Sequence, residues 1–201
     1  MKQVIKGIIE HKKLKKKVKQ NHGILLKPRN IVNSKYITCG NKIKIKYASR
    51  IECYDNFHNV KYNPKFIIED NVIIGDFFTA YITNYLKIGK NSIFAHNVTI
   101  VTENHGINPN DILPYADQKL EVGDVIIGEN CWLGTGVVVL PGSKLGDNCV
   151  VAANAVVNKQ FPSNVMVAGV PAKIIKIFDS KMGKWIKYNE ESDILNYDEK
   201  N

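Results

Sequence analysis

The chain has 201 residues, a formal net charge of +9, 44% hydrophobic residues and four cysteines. That suits one sizeable domain and excludes wholesale disorder. No run reaches the roughly 18 apolar residues of a membrane span, the N-terminus has no secretory h-region, and Cys39, Cys53, Cys131 and Cys149 form no CxxC pair, which together predict a soluble, cytoplasmic protein without a zinc knuckle or redox dithiol.

Charge is concentrated at one end. Residues 1–30 hold ten of the 28 Lys and Arg and one of the 19 acids, Glu10, so this segment carries +9 and the rest of the chain is neutral. A pI raised by one segment argues against nucleic-acid binding, which wants basic side chains spread over a folded face. Val4, Ile5, Ile8 and Ile9 fit one helix face, which Leu14 and Val18 extend; Lys12, Lys13, Lys15, Lys16, Lys17 and Lys19 fill the remainder. Two readings fit. One is a solvated helix; the other is a basic amphipathic helix resting on an anionic membrane surface or a neighbouring subunit.

Residues 31–67 contain β-rich fragments at 42–47 and 60–62 without a clean register, and predict irregular early coils. A period of six residues then emerges. Ile68 and Ile74 are six apart, but Ile74 and Ile88 are fourteen apart, so two extra residues lie near 81–85. Hexads open at Ile88, Phe94 and Ile100. Residues 106–124, with Pro109 and Pro114, interrupt the period and read as an excursion loop, the kind of segment that carries function on a rigid scaffold. Five more hexads open at Ile127, Leu133, Val139, Leu145 and Val151.

The fourth hexad position reads Asn91, Asn97, Glu103, Asn130, Gly136, Gly142, Asn148 and Asn154, and seven of these eight are residues that tolerate left-handed backbone angles. The fifth position is mostly small. A period of six matches neither helix nor simple strand. It fits a parallel β-helix of short strands and tight corners, with three hexads per triangular coil of 18 residues, so Cys131 and Cys149 should stack as small reduced core residues. The tail from Phe178, with Met182, Trp185 and Ile186, reads as a docking helix that frays from Glu190. The division is therefore a basic segment at 1–30, an all-β β-helix domain at 31–176 and a helical tail at 177–201.

The hexads, the excursion loop and the run Val167-Ala168-Gly169-Val170-Pro171-Ala172-Lys173-Ile174 resemble the hexapeptide-repeat acyltransferases, most closely the maltose/galactoside acetyltransferase-like group and the sugar O-acetyltransferases of polysaccharide biosynthesis. The resemblance covers about residues 65–176. It alone implies a left-handed coil, since the general crossover rule favours the opposite hand. It also implies acetyl-CoA as co-substrate, no metal, a saccharide acceptor, and a homotrimer whose sites lie between neighbouring prisms.

Moving an acetyl group from a thioester to a sugar hydroxyl needs a base, and histidine titrates near neutrality. His105 ends the hexad at Ile100 and immediately precedes the excursion loop, where the resembled family places its catalytic histidine. Glu103 is one candidate to orient it. His96, third in its hexad, should point outward; His58 lies in the irregular region, and His11 and His22 in the basic segment. Coil amides near Gly134 and Thr135 are candidate oxyanion donors. By resemblance, Trp132, Gly134, Thr135, Ala153, Asn158, Lys159, Lys173 and Lys176 fall at acetyl-CoA-contacting positions, with the lysines facing its phosphates. Asn84, Tyr85 and Tyr115 are candidates for lining an acceptor cleft. The leading expectation is direct acetyl transfer to a sugar hydroxyl in a ternary complex. The alternatives are N-acetylation of an amino sugar, a carbonic-anhydrase-like metal protein, for which only His96 and His105 lie in the periodic region, and a non-catalytic scaffold.

Overall fold

In the computed structural model, which describes residues 2–188 with side chains from Gly7 onward, the chain winds into a three-sided prism of stacked coils behind one helix. The first face carries the strands Ile24–Leu25, Lys44–Ile45, Ile73–Ile74, Ile93–Phe94, Trp132–Leu133, Val150–Val151 and Val165–Ala168. The second carries Asn30–Val32, Arg50–Cys53, Thr79–Ile82, Thr99–Val101, Val138–Val139 and Val156–Val157. The third carries Ile37–Cys39, Lys65–Ile68, Tyr85–Ile88, Val125–Ile127, Lys144–Leu145 and Gln160–Phe161. All these strands pair in parallel with the coil above and below.

The six-residue period is the reason for this shape. Each hexad supplies one inward strand residue and a second buried residue at its corner, and the strand residues stack in register. On the first face the column is Leu25, Ile45, Ile74, Phe94, Leu133, Val151 and Val167. On the second it is Ile31, Ile51, Ala80, Ile100, Val139 and Val157. All of these are buried, and each large aliphatic withdrawn from water contributes about 1.5–3 kcal/mol. The turn residues of the hexads do what their types allow: Asn91, Asn97, Asn130, Asn148 and Asn154 have φ between 53° and 62°, and Gly136 and Gly142 have φ of 73° and 81°. Side chains at one corner form an amide ladder, Asn130 Nδ2 donating to Asn148 Oδ1 at 2.8 Å and Asn148 Nδ2 to Asn164 Oδ1 at 2.9 Å.

The expected coil length holds where the period is clean, since Ile127 pairs with Leu145 and Leu133 with Val151, 18 residues on. Upstream, Ile74 pairs with Phe94, 20 residues on, and the two extra residues fall between Ile82 and Tyr85. Cys131 and Cys149 are buried free thiols whose Sγ atoms donate to Gly146 O at 3.2 Å and Pro162 O at 3.1 Å.

Three expectations are corrected. The strands of residues 31–67 are not irregular. Ile31, Ile51 and Ala80 are in register, and the sequence loses its period at two corners, where a 3-10 turn, Ser34–Tyr36, adds two residues between Ile31 and Cys39 and a hairpin, Asn56–Phe57 with Val60–Lys61, is inserted before the next strand. The tail is not helical over its described part: Lys173–Asp179 turns back antiparallel onto Val165–Ala168 and pairs with Lys184–Lys187, so the boundary at 176 falls inside a strand. Met182, Trp185 and Ile186 belong to that hairpin, whose strands pair with the otherwise open edge of the last coil. The fraying assigned to Glu190 onward lies outside the described residues.

The third correction concerns the N-terminal helix, α1 (Lys2–Gln20). The helix is not a fully solvated one, because Leu14 and Val18 are wholly buried against the first coil, whereas Ile8 and Ile9 of the same apolar set stay exposed. Apolar groups at the open end of a prism must be covered, and α1 covers them. The side chains of Val4 and Ile5 lie outside the described residues.

Candidate active site

Two excursions leave the prism from the same corner, where the second face turns into the third. The upper one is the loop expected from the sequence. Its stem pairs Glu103–Asn104 antiparallel with Glu121–Val122, and His105 is the exposed residue that follows the stem. Gln118, 3% exposed, organises the loop from within. Its Oε1 accepts from Asn108 N at 3.0 Å, and its Nε2 donates to Asn108 O at 3.0 Å and Leu113 O at 2.9 Å.

The lower excursion is the inserted hairpin at 54–64, two coils earlier. Its turn residues His58 and Asn59 have φ of 44° and 65°, the pair of left-handed residues a tight two-residue hairpin demands. The two excursions clasp each other. His58 Nε2 lies 3.3 Å from Asp117 Oδ1, and Leu120 N donates to Tyr62 Oη at 3.0 Å. The Phe57 ring meets the His105 imidazole edge-on, with centroids 5.4 Å apart and planes at 69°. Between the excursions lies a cavity of about 630 Å³, lined by Lys61, Tyr62, Ile107, Asp111, Lys119 and Glu121 among others.

The coil between the excursions supports the stem. Thr102, fully buried, accepts at Oγ1 from Thr83 N at 2.8 Å and Asn84 N at 3.1 Å, and donates to Glu103 Oε2 at 3.1 Å. Burial pushes the Glu103 carboxyl up from its ordinary range, against the hydrogen bond from Thr102. Glu103 is thus engaged with Thr102. Asn84 donates to Asp124 Oδ1 at 2.7 Å and braces the base of the loop, and Tyr85 is half-buried with Lys65 Nζ 5.7 Å from its ring centroid. Tyr115 is 54% exposed in the turn where Asp117 N donates to Pro114 O.

The residues assigned to the cofactor divide between corners. Asn158 and Lys159 are exposed at the His105 corner, two coils on, with Lys159 Nζ 5.5 Å from the Phe161 ring centroid. Gly134, Thr135 and Ala153 stack at a different corner, where the first face turns into the second; His96, exposed and 3.3 Å from Asp76, is one coil below them. Coils approach closely there, since a Cβ on Gly134 would lie 2.7 Å from Ala153 N. The Gly134 amide donates to Val151 O at 2.8 Å as part of the coil ladder, which removes it as an oxyanion donor. Trp132, 54% exposed, lies on the first face in a row that register continues through Val150 and Met166 to Lys176. Lys173 pairs with Ala168 on the same sheet. Face two therefore separates His105 from Thr135 and Ala153 within one chain. His96 and His105 also sit at different corners.

Sequence reasoning missed Phe57, Tyr62 and Gln118. The signal available for the first two was the gap between Ile51 and Phe66, too long for adjacent coil faces; Gln118 gave none.

The family model described as bacterial transferase hexapeptide (six repeats) matches residues 124–159. The "Putative lipopolysaccharide biosynthesis O-acetyl transferase WbbJ" of Escherichia coli is 38% identical over 126 residues, 59% of this chain and 63% of that protein, so the match spans under two thirds of its length. The "Putative acetyltransferase YJL218W" of Saccharomyces cerevisiae is 37% identical over 147 residues, 69% of this chain and 71% of that protein. A hexapeptide-repeat acetyltransferase of Vibrio cholerae, VCA0836, solved with acetyl coenzyme A, superposes with a TM-score of 0.59 at 20% identity over 73% of this chain and 74% of that one. The chain belongs to the hexapeptide-repeat acetyltransferase family, and its prism is a left-handed β-helix.

Proposed function

We propose that this protein transfers an acetyl group from acetyl-CoA to a hydroxyl of a sugar or polysaccharide precursor. The observation that carries the reading is the placement of His105, exposed on a stem braced by Thr102 and Asn84 and followed directly by Gly106 and Ile107, which line a cavity with polar and charged side chains. In the proposed reaction the neutral His105 imidazole removes the acceptor hydroxyl proton as the oxygen attacks the thioester carbonyl. The tetrahedral intermediate collapses, the C–S bond breaks, and the thiolate recovers the proton from the imidazolium. The coil amide of Thr135 is the proposed oxyanion donor, and Lys159, Lys173 and Lys176 the partners of the coenzyme phosphates. Asn84, Tyr85 and Tyr115 border the acceptor.

Because His105 and the Thr135–Ala153 corner are separated within one prism, the reading calls for a neighbouring copy to supply the other half. A homotrimer does so by setting the second face of one prism beside the next. The acceptor would be met in the cytoplasm, at the inner face of the membrane. The relatives named as O-acetyl transferases support a hydroxyl acceptor.

The test is incubation with acetyl-CoA and a panel of saccharides, including pairs differing only in amine versus hydroxyl, with thiol release followed. Release with hydroxyl acceptors is expected, and His105→Ala should lower kcat by about 10²–10⁴ with the fold intact. Absence of release with every hydroxyl acceptor rejects the proposal; release with amines alone selects N-acetylation.

A further inference from the structure

We propose that the outer face of α1 is a docking surface that seats the end of the prism on an anionic lipid bilayer. α1 lies across the open end of the first coil and touches strands of all three faces. Its inner side is accounted for: Leu14 and Val18 are fully buried, and Glu10 accepts from Ser34 N at 2.6 Å and Ser34 Oγ at 2.7 Å. Lys13 pairs with Glu10 at 2.9 Å, and Lys17 donates to Ser34 O at 2.9 Å and Ile37 O at 3.0 Å. Those two lysines fasten the helix to the prism.

Four others do not. At 100° per residue Lys12, Lys15, Lys16 and Lys19 fall on the side opposite Leu14, together with Ile8 and Ile9. All four lysines are exposed, Ile8 and Ile9 are 51% and 47% exposed, and among the described residues these lysines make no ion pair. The only acid of the described helix side chains, Glu10, is turned inward. The outer face is thus four positive charges around two apolar side chains, with no carboxylate.

That combination selects the partner. Nucleic acid would use the charge but leave both isoleucines in water. An anionic bilayer uses both, because lysines reach the headgroup phosphates while the isoleucines enter the acyl boundary. Each lysine near such a surface multiplies partitioning roughly fivefold. The geometry is end-on. With α1 lying flat on the bilayer, the prism axis stands upright and the cavity beside His105, on the side of the prism, stays open to solvent. Prisms packed side by side keep this end free. The inference stands apart from the acetyl-transfer reading.

The test is sedimentation of the full chain with vesicles of phosphatidylcholine mixed with phosphatidylglycerol, against pure phosphatidylcholine. Binding at least about tenfold stronger to the anionic vesicles, falling with salt, is expected. The combined variant Lys12→Glu, Lys15→Glu, Lys16→Glu and Lys19→Glu should abolish it, with the four Lys→Gln changes in its place should the first fail to fold. Ile8→Ser with Ile9→Ser should weaken binding several-fold. Thiol release with a soluble saccharide should match wild type in both, and its absence from wild type as well would discredit the acetyl-transfer reading without touching this one. Equal binding to neutral vesicles, no binding to either, undiminished binding by the charge variants, or lysine-dependent binding of an RNA oligonucleotide without vesicle binding would each overturn the proposal.

Discussion

At the scale of single residues, two side chains beside the stem set testable chemistry. Phe57 touches His105 through an edge-on ring contact and packs the imidazole from one side. Under the proposed function, Phe57→Ala should lower kcat several-fold while leaving KM for acetyl-CoA near wild type, since it would loosen the proposed base His105 and lies away from the residues proposed to hold the coenzyme; steady-state kinetics separate the two. Glu103 is a carboxyl raised by burial. A raised carboxyl pKa means the folded state holds its proton longer than the unfolded chain, so its charge costs stability as pH climbs through the folded pKa and costs nothing below the unfolded one. Glu103→Gln should therefore be more stable than wild type at neutral pH, with the gap closing in acid, by denaturation midpoints across pH. The buried Glu52 runs the other way. Burial alone would raise it, but Arg50 at 2.6 Å, Asn30 at 2.5 Å and the Tyr54 hydroxyl hold it below its ordinary value. Its contribution is present above the unfolded pKa and lost as pH falls through the folded one. Arg50→Met leaves that carboxylate to Asn30 and Tyr54 alone and, because the Arg50 side chain is partly exposed to solvent, should cost about 1–3 kcal/mol at neutral pH in chemical denaturation.

Elements show why local pattern and tertiary role diverge. The corners obey residue type closely. Asn148 has φ of 58° and links the amides of Asn130 and Asn164, so Asn148→Ala should lose about 1 kcal/mol or more, whereas Asn148→Gly, free of strain at that angle, should lose less; thermal melts read the difference. α1 was legible as a helix with a stripe, but the stripe's partner was not: Leu14 could have faced solvent, lipid or protein. Its burial predicts that Leu14→Ala costs about 2–5 kcal/mol by denaturant unfolding. The tail misled because Met182, Trp185 and Ile186 fit a short helix as well as they fit a hairpin, and only the unpaired edge of Val165–Ala168 decides for strands. The hairpin at 54–64 and the two extra residues at the Ser34–Tyr36 turn hid the period of the strands beside them.

For the whole molecule, the decisive fact is that three faces make three corners, and His105 occupies one while Thr135 and Ala153 occupy another. Under the proposed function, sites form between copies. Mixing an inactive His105→Ala protein with an inactive Thr135→Arg protein and letting subunits exchange should then restore about one quarter of wild-type sites, because each site draws one half from either parent at random. Activity staying at zero after confirmed exchange would count against sites shared between copies.

The residues alone determined the prism. A strict period of six, apolar at its start and Asn or Gly at its turn, leaves the backbone few ways to bury one column of side chains, and it fixed the coil length, the excursion loop and the identity of His105 as the histidine at its root. What only the tertiary structure decided is which separate stretches meet: the hairpin at 54–64 against the loop, Phe57 against His105, α1 against the first coil, and the two corners held apart. Those contacts join residues tens of positions distant through packing and single hydrogen bonds, and no local period encodes them.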